Sequence, residues 1–219
     1  MGFTTDPAWF FEEDQRRAAV EALQRYLDGY TGSWFERLAD HEHPNEITAR
    51  DLVAVSCLSV EIPAATSIWV LNDGAAQVSS LLSRVPTSQR IWSDDVDLTE
   101  GGPLWQLWDA LRNNGWRTQG KGMGRTKTSK LLAAKRPHIV PVWDSLVSRA
   151  LFTEREENDW QLWHERLRGA DGEQLRHLVE DVRSEADVPV DMSILRVVDV
   201  VVWMREEGRG RGPRPKEST

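Results

Sequence analysis

Three glycines at alternate positions, Gly120, Gly122 and Gly124, force a tight reversal between two stretches that read as helices. Glycine tolerates positive φ and lets a second backbone or an anion come close. Upstream, Pro103 opens a segment carrying Trp105, Leu107, Trp108 and Leu111, which Asn113-Asn114-Gly115 stops. Downstream, Leu131 and Leu132 lie on a second helix that runs out before Pro137. A short apolar link, Ile139 to Trp143, then leads to Asp144, placed where a new helix begins at Ser145-Leu146-Val147. The order is helix, glycine hairpin, helix, apolar link and a carboxylate at a helix start. Asp144 in that position is expected to cap the helix, a contribution of about 1 kcal/mol.

Charge sets this stretch apart. From Arg112 to Arg136 there are eight basic residues (Arg112, Arg117, Lys121, Arg125, Lys127, Lys130, Lys135 and Arg136) and no Asp or Glu. The rest of the chain has 19 basic residues against 35 acidic ones. An acidic chain that concentrates its cations in one acid-free window is expected to present them to an anion. The amides of a glycine turn opening a helix form an anion site of their own. Nucleic-acid phosphate is the natural candidate.

The remaining segments also read as helices. Asp6 and Pro7 start one that Ala19, Leu23, Tyr26 and Leu27 continue to Gly29. Ser33-Trp-Phe-Glu36 has the pattern of a capping box. Thr48 to Val60, Pro63 to Leu71 and Ala75 to Val85 follow, and Thr153 to Glu156 forms a second box ahead of Trp160, Trp163 and Leu167. Asp171 is expected to cap the next helix and Asp191 the last, Met192 to Arg205. The run VVDVVV in that last segment has strand propensity. With no partner strands in the sequence, and Arg196 and Asp199 at i,i+3 spacing, it reads as a buried helix. No period-two segments and no βαβ alternation occur, so the fold class is all-α.

An apolar content of 40% and a charged content of 28% suit a globular chain with a real core. No run approaches the eighteen or so apolar residues of a membrane span, and MGFTTDPAW lacks a signal-peptide core. The single cysteine, Cys57, leaves no internal disulfide and fits a reducing cytoplasm. His41-x-His43 has no third ligand at metal spacing, and Asp94, Asp95 and Asp97 lack the glycine and distal glutamate of a calcium loop. No metal site is expected. Residues 208–219, GRGRGPRPKEST, read as a disordered tail.

The hairpin GMGR, the apolar helix after it and PVWDSLV resemble the helix-hairpin-helix DNA glycosylase superfamily, which includes endonuclease III and the adenine-mismatch glycosylase. In that family a G-x-G-R hairpin precedes a helix, and a catalytic aspartate lies twenty residues beyond the second glycine, as Asp144 does from Gly124. Pro141-Val-Trp-Asp144 resembles the approach to that aspartate in some members. Asp51 to Glu61 resembles an early apolar helix ending in Ser-x-Gln, whose glutamine reaches into DNA. Glu61 stands in its place here. The TKTSKLLAAKRP segment further resembles that of an uncharacterised bacterial family, which implies no known activity.

The resemblance implies a two-lobed helical fold within residues 1–207. The N- and C-terminal helices would form one lobe, and about 48–150 the hairpin-bearing lobe. It implies a DNA-binding protein that acts as a monofunctional DNA N-glycosylase in repair, or a non-catalytic helix-hairpin-helix protein that has lost the chemistry. Asp144 would be the catalytic residue. Lys121, Gly122, Gly124, Arg125, Thr126, Lys127, Lys130 and Glu61 would contact double-stranded DNA. Thr126 stands where bifunctional members place a nucleophilic lysine, and one cysteine cannot hold an iron–sulfur cluster. The only cofactor the resemblance allows is a monovalent cation at the hairpin, and a monomer is expected.

Overall fold

The computed structural model describes residues 2–113, 123–153 and 159–210. Among them the secondary structure is helical, apart from one antiparallel bridge between Phe3 and Phe152. The hairpin glycines Gly120 and Gly122, with Lys121 and Arg117, lie outside the described residues, as do Glu154 to Glu156 and the last nine positions.

Local signals set most of the boundaries. Asp6 Oδ1 accepts the Ala8 amide at 2.8 Å, but it caps a short 3-10 turn, Pro7–Phe11, and the first α-helix, α1, spans Glu13–Gly29. A second 3-10 turn, Thr31–Trp34, leads into the four-residue α2, Phe35–Leu38. The capping box expected at Ser33 does not form. The Ser33 hydroxyl donates instead to Tyr30 O at 2.8 Å, and Glu36 turns inward to Arg196. At α3, Ala49–Ser56, Thr48 and Asp51 do make a capping box, with the Thr48 amide donating to Asp51 Oδ2 at 2.8 Å. That helix stops four residues before Val60.

Helices α4 (Ala64–Leu71), α5 (Ala75–Leu82), α6 (Pro103–Asn113) and α7 (Arg125–Lys135) follow. Helix α8, Ser145–Leu151, begins at Asp144, and α9 spans Trp160–Leu167. Gly169, with φ of +62°, starts α10, Gly169–Glu185, so Asp171 lies in its first turn and does not cap it. The last helix, α11, spans Ile194–Gly210, running into the segment expected as a tail. Ser193, rather than Asp191, meets its first turn, accepting the Arg196 amide at 3.2 Å.

Two packing groups result. Helices α1, α8 and α10 pack on α11, and α9 packs on α10. In the other group α3 packs on α2 and α7, α7 on α6, α6 on α5, and α5 on α4. Val197, Val198, Val200, Val201 and Val202 of α11 are all buried. Each buried valine contributes about 1.5 kcal/mol or more, against a helix-propensity cost below about 0.7 kcal/mol. Burial decides, and the valine run is helical.

Helix α7 departs most from its sequence reading. From Thr128 to Lys135 every side chain is buried, because α3 and α6 pack on it from both sides. Lys135 Nζ lies 2.7 Å from Asp51 Oδ2 and donates to Asp40 O and His43 O. Arg136, also buried, donates to Val85 O, Leu82 O, Pro44 O, Lys135 O and Asn45 Oδ1. These cations satisfy the carbonyls of distant turns and do not form an outward basic face. None of the helices among the described residues is long and apolar enough to cross a membrane.

Candidate functional site

A pocket of about 130 Å³ opens where the two groups meet. Its wall draws on α1 (Tyr26), the turn after it (Tyr30 to Gly32) and the segment after α3 (Cys57 to Ser59). Lys130 of α7, Val142 and Asp144 ahead of α8, and Arg196, Asp199, Val200 and Trp203 of α11 complete it. Packing brings together residues that lie far apart along the chain.

Asp144 enters this pocket because both sides of it are tied down. The Trp143 amide donates to Ser129 Oγ of α7 at 3.0 Å, and Asp144 Oδ1 accepts the Leu146 amide at 2.8 Å. The expected cap is thus present. Its second oxygen has no hydrogen bond among the described residues, and the positive end of α8 lies beneath the carboxylate. Arg125 packs over the Trp143 ring, 4.0 Å from its centroid, with Asp159 at 3.8 Å. Two residues expected to face DNA are therefore drawn inward. Arg125 lies along the tryptophan beside Asp144, and the Lys130 ammonium donates to Leu58 O at 2.9 Å inside the pocket.

The other expected contacts fall differently. Gly124 is exposed ahead of α7, and Thr126 and Lys127 are half-buried. Lys130 lies four residues beyond Thr126, one turn along the same face, and its amine reaches the pocket. Glu61 is exposed two residues beyond Ser59, which lines the pocket in the left-handed region at φ of 60°. Lys121 and Gly122 lie outside the described residues.

The inner wall is a buried charged cluster that sequence reasoning did not assign to the site. Arg196 Nε donates to Glu36 Oε1 at 3.0 Å, and its other nitrogens donate to Asp199 Oδ2, the Tyr26 hydroxyl and Gly32 O. Gly32 is needed there, because a Cβ on it would come 2.1 Å from the Tyr26 hydroxyl. Burial works against the charge of Arg196, but Tyr26, Glu36 and Asp199 outweigh it and raise its pKa. Burial pushes Tyr26 up to about 12 and Asp199 up to about 6, with Arg196 opposing both. It also lowers the Lys130 amine, against the pull of Asp144 and Asp199. The available signal was a charged i,i+3 pair, Arg196 and Asp199, inside an otherwise apolar valine run.

Among the described residues, no group of three or more His, Cys, Asp and Glu side chains is arranged to hold a metal ion. The pocket instead offers a carboxylate at a helix start, a buried amine, a second carboxylate and the aromatic rings of Tyr26, Tyr30 and Trp203.

The chain belongs to DUF6308, a family of unknown function whose model matches residues 19–206. That span contains every residue lining the pocket. No curated protein and no solved structure matches the chain.

Proposed function

We propose that this protein binds double-stranded DNA and removes a damaged or modified base from it as a monofunctional N-glycosylase, with Asp144 as the catalytic carboxylate. The observation that carries the reading is the position of Asp144. It stands at a helix start, with one oxygen free of hydrogen bonds among the described residues, in the wall of a pocket with room for one ring. A cavity of about 150 Å³ in a protein core accepts a benzene-sized ring, so about 130 Å³ suits one six-membered ring, such as a pyrimidine or the leading ring of a purine, and little more. A base could reach it only after extrusion from the duplex, at a cost of a few kcal/mol.

In this reading the C1′–N bond breaks with its electron pair on the departing base, and positive charge develops on the sugar. The fixed Asp144 anion stabilises that charge. Water then adds at C1′ and releases a proton to solvent. Arg125 on Trp143 and the Ser129–Trp143 hydrogen bond position Asp144. With Lys135 and Arg136 internal, phosphate contact falls to Lys127, the amide of Arg125 behind the exposed Gly124, and the hairpin.

A base-release assay on duplexes carrying damaged and modified bases tests it. The parent should release at least one base, and Asp144→Asn should lose at least 100-fold in rate while still binding the duplex. Duplex binding without release of any base would support the alternative, a non-catalytic helix-hairpin-helix DNA-binding protein. A lack of binding would remove both.

A further inference from the structure

Among the described residues Asp199 Oδ1 has no hydrogen-bond partner although Asp199 is only 6% exposed, and the residue belongs to the pocket wall. Its other oxygen is engaged by Arg196. Arg196 in turn is committed to Glu36, Tyr26 and Gly32, and Lys130 donates to Leu58 O. A buried acceptor left open is costly unless something supplies a donor; Glu36 Oε2 is also without one, but only Asp199 of the two lines the pocket. Asp199 lines two cavities among the described residues, and of these only the pocket, at about 130 Å³ against about 10 Å³, has room for a ring; its walls include the half-buried rings of Tyr30 and Trp203. These two rings meet edge to face, with centroids 5.4 Å apart. Flat aromatic walls suit a planar occupant, and an unfilled acceptor suits one that carries an N–H.

We propose that Asp199 is a specificity-determining residue: its free oxygen selects a single planar heterocycle that presents a hydrogen-bond donor, an exocyclic amine or a ring N–H, inside the pocket. This deepens the base-pocket reading and rests on it for the occupant being a nucleobase. The carboxyl is pushed up to about 6 by burial, so at pH 8 it is ionised and acts purely as an acceptor.

Calorimetric titration of the whole chain at pH 8 tests this with bases whose glycosidic nitrogen is blocked by methyl. Donor-bearing 9-methyladenine, 1-methylcytosine, 9-methylguanine and 1-methylthymine are compared with donor-free 9-methylpurine and 1-methyl-2-pyrimidinone. At least one donor-bearing ring should bind about 10- to 100-fold more tightly than both donor-free rings, the range for a hydrogen bond to a charged group. In Asp199→Asn, Arg196 should hold the amide oxygen and turn its NH₂ toward the pocket. The preference should then vanish or reverse. Equal binding of both sets to the parent overturns the proposal, as does binding of neither or a preference that survives in Asp199→Asn. The parent comparison decides the matter even if the variant fails to fold. Ring selection without base release from DNA would remove the excision reading and leave this one standing.

Discussion

Lys135 and Asp51 form an ion pair with no access to solvent: Nζ stands 2.7 Å from Oδ2, and the two side chains are 1% and 0% exposed. Asp51 also closes the capping box of α3, and Lys135 donates to two carbonyls near Asp40. Breaking a buried pair leaves one charge stranded. Lys135→Met is therefore expected to lower the free energy of unfolding by about 3–5 kcal/mol. Urea unfolding measures it, and a loss under 1 kcal/mol would show that the pair is solvated.

Among the cations of α7, Lys127 faces solvent in part, whereas Lys130 and Lys135 are buried. If duplex DNA binds here, Lys127→Ala should flatten the plot of log Kobs against log salt by about 0.9, one phosphate's worth. Lys135→Met, at a temperature where it is folded, should leave the slope unchanged. An equal change in both variants would mean that the buried cations reach phosphate.

Asp144→Asn keeps an oxygen for the Leu146 amide, so its stability should stay within a few tenths of a kcal/mol of the parent. Asp144→Ala removes the cap and should cost about 1 kcal/mol. Both should lose base release. Thermal melts together with the release assay separate capping from chemistry. Release by the Asn variant at the parental rate would leave Asp144 with the cap alone.

Lys130 lies in the pocket but donates to Leu58 O, and on the proposed glycosylase reading Thr126 stands where a nucleophilic lysine would be. No covalent adduct at an abasic site is expected on borohydride reduction. A trapped adduct that disappears in Lys130→Met would replace the proposed monofunctional chemistry with a bifunctional one, its amine one turn further along α7.

Burial, with Arg90 and Arg183 nearby, lowers the His138 imidazole to about 4. The unfolded chain takes up this proton near pH 6.5, well before the folded one does. Stability from this group is therefore fully present above about pH 6.5 and is lost as the pH falls toward 4. Replacing His138 with Gln should shrink the difference in unfolding free energy between pH 7.5 and pH 4.5 by about 1–3 kcal/mol. An unchanged difference would show that His138 protonates freely in the folded state.

The sequence by itself determined that the chain is helical and where several helices begin and end. It also determined that Asp144 stands at the start of α8. Those features rest on short-range physics: caps at Thr48 and Asp144, the stop at Gly29, and the reach of Pro103 and Pro137 over their neighbours. Glu36 shows the limit, because its capping-box pattern is real but a buried arginine 160 residues away outcompetes the local amide. The acid-free window shows the same limit. A count of charges says that cations are present, not what balances them, and in the folded chain Lys130, Lys135 and Arg136 are balanced by carbonyls and a carboxylate from other turns. The pocket was decided only by tertiary structure. It exists where α1, the turn after α3, α7 and α11 converge, and no local pattern relates Tyr26 to Asp199. Asp199 itself became part of the site because packing buried it with one oxygen still open.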